Sequence, residues 1–339
     1  MYITPSQAPE LLIDAFKAGL VPNIHGSPGV GKSDIMRQIA LENNLQVIDF
    51  RLSQADPTDL NGFPVVNEKR DRSDYAPPAL FPLSTDPIPD GYKGWLLFFD
   101  EINSAAPSVQ AAAYKIILDR MIGQHKIHPK LVMACAGNLT TDKAIVNRLS
   151  TAMQSRLIHL NLEVNLEDWL DWAITSNIDY RVTSFIQFRT ELLHKFDPNH
   201  NDHTFPCPRT WFFVSQMIKS WDKITDDKLP LLAGTVGEGA AMEFKGFTDI
   251  IESVPSITEI LRYPENIGFE SRPDILYALG TLVTQHVTDD NIEKLVKFVN
   301  RMPLEFQVIT YQHFLKKDVN LQNHKSLKQW IKENAQSLI

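Results

Sequence analysis

Apolar residues recur at two different periods along this chain, and the change of period divides it. In residues 6–19, Leu11, Leu12, Ala15 and Phe16 fall on one helical face and Gly19 offers a stop. A short apolar run, 20–25, follows, then a glycine-rich turn, then a helical stretch in which Ile35, Met36, Ile39 and Ala40 share a face. The segment 46–52 reads as a second strand. Three more strands are expected at Trp95–Phe99, Leu131–Ala136 and Leu157–Leu162, with a helix over 107–121 between the first two. The first of these strands is apolar throughout, the pattern of a strand buried on both faces of a parallel sheet. Strands alternating with helices predict a parallel α/β layer.

Residues 55–94 break both periods. Pro57, Pro64, Pro77, Pro78, Pro82, Pro87 and Pro89 forbid a long helix there. After about residue 163 only the helical period remains. It predicts helices at 166–177, 180–195, 209–222, 230–252, 273–286, 290–301, 305–316 and 325–337. Phe298, Met302, Phe306, Ile309 and Phe314 are expected core residues of the last part, where Pro303 suits the first turn of a helix.

Length and charge narrow the class. The 339 residues allow two or three domains, and 43% hydrophobic content can fill their cores. Lys and Arg total 33 against 41 Asp and Glu, a net charge of −8, which disfavours a chain that wraps nucleic acid with its whole surface but leaves a local basic stripe open. Two cysteines, Cys135 and Cys207, can build neither a disulfide framework nor a four-cysteine zinc site. The sequence has neither an apolar run of about 18 residues nor a signal-peptide pattern, so the expected setting is cytoplasmic, away from membrane.

The candidate chemistry lies in the α/β half. Gly26-Ser27-Pro28-Gly29-Val30-Gly31-Lys32-Ser33 fits G-x-x-x-x-G-K-S. Its glycines let several backbone N–H groups face one anion, and the following helix adds its positive end. Lys32 can reach β- and γ-phosphates, and Ser33 can ligate Mg²⁺. Leu96-Leu97-Phe98-Phe99-Asp100-Glu101 is an apolar strand ending in two acids. Asp100 is placed to hold Mg²⁺ and Glu101 to take a proton from water; read alone, the pair could also be an acidic helix start. Together the two motifs predict a nucleoside triphosphatase, and the absence of an N-K-x-D-like run favours ATP over GTP.

Further residues narrow the kind. Asp100-Glu101-Ile102-Asn103, Ala106-Pro107-Ser108-Val109-Gln110 and Leu118-Asp119-Arg120 resemble the D-E-I-N-x-A-x-P-x-V-Q pattern and closing acid–Arg pair of the MoxR-type branch of the AAA+ ATPases. Asp59-Leu60-Asn61-Gly62 and His128–Asn138 extend the resemblance, which covers about residues 5–250. It implies a AAA+ module with a five-stranded parallel sheet over 1–162, a helical lid over 163–250 and a helical extension over 251–339. It implies that Asn138 is the sensor-1 residue orienting attacking water, that Arg156 is an arginine finger acting on a neighbouring subunit, with Arg148 a second candidate, and that Arg209 is the sensor-2 arginine. The family's small residues before sensor 2 are here Phe205-Pro206-Cys207-Pro208, which leaves the packing of that helix start open. The resemblance also implies ATP and Mg²⁺ as ligands, a ring of identical chains, six by resemblance, and a protein client such as one with a von Willebrand factor A domain.

Some features stay open on sequence alone. Arg120 suits either a subunit boundary or a solvated helix end. The inserts at about 56–94 and 120–130 read as loops facing a pore or partner, with Lys69, Arg70, Arg72 and Tyr75 either gripping a polypeptide or merely solvated. His194, Asp197, His200, Asp202 and His203 match no common zinc spacing, and Cys135 reads as packing. A DNA-directed motor or loader and a nucleotide-switched scaffold are the rival functions.

Overall fold

The computed structural model describes residues 1–142, 147–199, 202–251 and 254–334. It divides into two units, Met1–Val164 with Asp197–Asn199, and Asn165–Phe196 with His200–Ile339. In chain order the strands are β1 (Tyr2–Ile3), β2 (Val21–His25), β3 (Leu45–Arg51), β4 (Phe63–Val66) and β5 (Ser73–Ala76). Then come β6 (Gly94–Asp100), β7 (Met121–Ile122), β8 (His125–Lys126), β9 (Leu131–Gly137) and β10 (Leu157–Leu162). The helices of the first unit are α1 (Ala8–Lys17), α2 (Lys32–Glu42), α3 (Pro57–Asn61), α4 (Pro107–Asp119) and α5 (Thr151–Gln154).

Six strands form one parallel sheet in the order β1-β10-β2-β9-β6-β3. All five expected strands are in it, and the two-residue β1 adds a sixth beside β10. Every residue of β6 is buried. Trp95, Leu97 and Phe99 pack with Val109, Ala113 and Ile116 of α4, while Leu96 and Phe98 pack with Leu12 of α1 and Met36 and Ile39 of α2. The period of two along the strand thus feeds two cores at once, as helices on both faces of a parallel sheet require. This is a doubly covered parallel α/β sheet, with the glycine-rich loop Gly26–Ser33 running from the end of β2 into α2.

The two inserts are not loops. Residues 63–76 form an antiparallel hairpin, β4 with β5, and 121–126 form a second, β7 with β8. Every residue of β4 and β5 is exposed and Pro64 interrupts the donors, so the segment carries no strand-like alternation. The hairpins touch each other: His125 Nε2 donates to the Tyr75 carbonyl at 3.1 Å, and Gly123 has no room for a Cβ, which would lie 2.8 Å from that of Tyr75.

The described residues of the second unit contain no named strand. Its helices are α6 (Leu166–Thr175), α7 (Tyr180–Phe188), α8 (Pro208–Ile218), α9 (Leu229–Val236), α10 (Glu238–Ile251), α11 (Ile257–Arg262), α12 (Pro273–His286), α13 (Ile292–Val299), α14 (Leu304–Lys317) and α15 (Lys325–Glu333). The helix expected over 230–252 is two, because Gly237 adopts φ +86° between α9 and α10. That left-handed backbone ends a helix and suits glycine. Glu252 and residues 335–337, expected to be helical, lie outside the described residues. Six-residue α11 was too short for a periodicity reading, although its Ser256–Glu259 capping box is a visible signal. Phe185, Trp211, Phe244 and Phe247 form one aromatic core of this unit, and α12–α15 enclose another. Among the described residues no helix is long and apolar enough to cross a membrane.

Candidate nucleotide-binding site

Register brings the motifs together. His25 pairs with Gly137 across β2 and β9, and Phe99 pairs with Cys135 across β6 and β9. The three strands therefore end at one edge, and Gly26–Ser33, Asp100–Glu101 and Asn138 all open there. Carboxyl ends of strands in an open parallel sheet are where such folds place ligands.

Within the loop, Gly29 and Gly31 adopt φ +79° and +93°. A side chain would be strained at both, and Gly31 is the N-cap residue from which α2 starts. The first N–H groups of any helix lack partners within it, so the loop and α2 aim donors into one concavity. Lys32 Nζ donates to the carbonyls of Gly26 (2.6 Å) and Ser27 (3.1 Å) and reaches Asn138 Oδ1 at 3.4 Å. Ser33 Oγ donates to Asp100 Oδ2 at 3.2 Å.

The acids differ in setting. Asp100 is 8% exposed, and burial raises its carboxyl above the usual range against the opposing bonds from the Glu101 N–H (2.9 Å) and the Ser33 hydroxyl. Glu101 has φ +57°, a left-handed backbone that turns the chain at the strand end. Its Oε2 accepts from the Ser53 hydroxyl. Ser53, in a short turn after β3, is a site neighbour that no motif announces. Its nearness follows from β3 pairing with β6, which sets Arg51 opposite Asp100.

These residues fit a phosphate–Mg²⁺ group. Mg²⁺ takes oxygen ligands in an octahedron whose adjacent corners lie about 3 Å apart, a spacing close to that of the Ser33 and Asp100 oxygens. A lysine ammonium and a nest of N–H groups supply the matching charge for phosphate.

A second polar chain leaves the same strand. Asn23 Nδ2 contacts His25 Nε2 at 3.0 Å, His25 Nε2 contacts His159 Nδ1 at 2.9 Å, and His159 Nε2 donates to the Gln154 carbonyl at 2.9 Å. Burial, then the charges of His159 and Lys32, lower the His25 pKa to about 4. Sequence reading missed this pair, since the histidines are far apart in the chain and meet only through β2–β10 pairing.

The arginines fall into separate places. Arg156 is exposed at the end of α5, where it donates to Ala152 O (2.8 Å) and Ser155 Oγ (3.2 Å) and lies 5.5 Å from the Tyr114 ring centre. Arg148 is exposed as well. Arg120 is not a solvated helix end: it is half-buried, ends α4 at φ +52°, and donates to the Leu131 carbonyl at 2.5 Å. Arg209 is exposed in the first turn of α8, in the other unit. The start of that helix packs well: Cys207 is buried at the N-cap, and its N–H donates to Thr210 Oγ1 at 2.9 Å. Lys69, Arg70, Arg72 and Tyr75 are exposed on the first hairpin and its tip. Cys135 is fully buried in β9, and burial pushes its thiol far up. His200 lies outside the described residues, and among those residues no cluster of three or more His, Cys, Asp or Glu is placed to hold a metal.

No family model matches this chain, and no curated protein matches it. Solved structures do. A point mutant of Thermotoga maritima RuvB is 17% identical with TM-score 0.38, over 85% of this chain and 83% of that one. A provisionally named ATPase from Cytophaga hutchinsonii is 14% identical with TM-score 0.32, over 98% of this chain and 88% of that one. Likenesses this loose carry no functional weight, and the fold stands on the strand order and the loop.

Proposed function

We propose that this chain is a MoxR-type AAA+ ATPase that hydrolyses ATP in an oligomeric ring to remodel or mature a protein client. One observation carries the proposal: Lys32, Ser33, Asp100, Glu101 and Asn138, which are separated in sequence, converge at one strand edge with Ser33 Oγ 3.2 Å from Asp100. Lys32 and the N–H groups of Gly26–Ser33 bind the phosphates. Ser33 and Asp100 hold Mg²⁺, which when bound supplies charge to the transferring phosphoryl group. Glu101 accepts the proton of attacking water, and Asn138, facing Lys32, orients that water.

Arg156 completes the site from the next subunit, where its charge offsets the charge that builds on the phosphoryl oxygens. Its exposure supports that role, and the exposure of Arg148 keeps it as the second candidate. Arg209 reports nucleotide state to the helical lid, 163–250, which the 251–339 extension follows. The client is a protein, by resemblance one bearing a von Willebrand factor A domain, and the exposed hairpin side chains are its grip.

The test uses Glu101→Gln, which binds ATP without consuming it. Its particle mass is measured by light scattering with and without ATP–Mg²⁺, beside phosphate release from wild type. The expected result is a shift to about six chains on adding ATP, with turnover reduced by at least about a hundredfold. A mass fixed at one chain with ATP bound would leave Arg156 no neighbour to serve. Wild-type turnover in the variant would remove Glu101 from the reaction.

A further inference from the structure

The stretch from Asp100 to Gln110 holds two carboxamide residues, Asn103 and Gln110, that the proposed reaction leaves without a task. Both are buried, at 4% and 7% exposure. A buried carboxamide is costly unless its groups are paired. Asn103 commits both ends of its side chain to one backbone position. Nδ2 donates to the Asn138 carbonyl at 2.7 Å, and Oδ1 accepts the Asn138 N–H at 3.1 Å. That is the two-bond pairing by which one strand holds another, supplied here by a side chain just past the last residue of β9.

Gly137 makes room for it. A Cβ there would lie 2.6 Å from Asn103 Oδ1 and 2.8 Å from its Cγ, although Gly137 has no positive φ to demand glycine. The same turn holds a second segment. The Asn103 carbonyl accepts the Asn147 N–H at 2.6 Å. Asn147 Nδ2 and Gln110 Nε2 both donate to the Ala105 carbonyl, at 2.9 and 3.2 Å. Asn147 precedes Arg148, so one buried bracket fixes both Asn138 and the residue before a finger candidate.

We infer that Asn103 is a positioning residue for hydrolysis. It locks the Asn138 backbone so that the Asn138 carboxamide, 3.4 Å from Lys32 Nζ, points into the phosphate loop. Gln110 braces the turn that carries it. The inference rests on the hydrolytic reading above, and the assay separates failure of the two.

Phosphate release and binding of a fluorescent ATP analogue are measured on the full chain for wild type, Asn103→Ala, Asn138→Ala and the double variant. Asn103→Ala is expected to lower kcat by about ten- to a hundredfold, since small misplacements of reacting groups cost that much. Affinity for the analogue should stay within about threefold. The double variant should be no slower than Asn138→Ala, because Asn103 acts through Asn138. A kcat within about twofold of wild type, or losses that add in the double variant, would overturn the inference. If wild type releases no phosphate, the hydrolytic reading fails and this inference goes with it. Should Asn103→Ala not fold, Gly137→Ala pushes on the same contact from the other side, and an unchanged kcat there overturns the inference equally.

Discussion

Glu101 turns the chain at φ +57° while its N–H bonds the Asp100 carboxylate and its own carboxylate holds Ser53. Residues of this kind were legible to different degrees. Lys32, Ser33, Asp100 and Glu101 stand in local patterns because phosphate chemistry fixes their types and spacing within a few positions. Ser53 and His159 stand in none, because their partners arrive across strands whose order no local pattern states. Arg120 shows a related gap. Its backbone caps α4, and its guanidinium, which no local pattern assigns to its own module, donates to the Leu131 carbonyl. Arg120→Ala should therefore lower unfolding free energy by about 1–3 kcal/mol in denaturant titrations, the scale of a charged hydrogen bond. Unchanged stability with an altered particle mass would return Arg120 to the subunit boundary.

Among elements, burial decided what could be foreseen. β6 announced itself because both its faces are buried, and α12 was found at its full length because its apolar face is continuous. The β4–β5 hairpin is exposed on both faces, so no hydrophobic pattern marks it, and β7 and β8 are two residues each. In the helical unit, one polar element was equally silent. The Asp179 carboxylate caps α7 and pairs with Arg181 at 2.8 Å, and Arg181 also donates to the carbonyls of Ile218 and Trp221. Both side chains are only 10% exposed. Arg181→Met should cost about 3–5 kcal/mol, because it strands a buried carboxylate and two carbonyls at the end of α8. A loss below about 1 kcal/mol in denaturant unfolding would show that water reaches the pair.

Over the whole molecule, two histidines make stability depend on acid. Burial lowers His25 to about 4, helped by His159 and Lys32. Burial also lowers His313 to about 4, helped by Lys316 and opposed by Asp171. Unfolded histidines titrate near 6.5, so between about 4 and 6.5 the unfolded chain binds more protons and stability falls as pH falls. Above about 6.5 their contribution is complete. Melting temperatures taken from pH 7.5 to 4.5 should decline through that window, less steeply in His313→Gln. An equally steep decline in the variant would remove His313 from the effect. The sheet order has a consequence in time as well. β2, which carries the phosphate loop, lies between β10 and β9, and both neighbours come more than a hundred residues later in the chain. At ribosomal speeds of about 5–20 residues per second, the loop strand waits several seconds or more for either partner. Until then a nascent chain exposes apolar strand edges, and the candidate nucleotide site is among the last features of its module to exist.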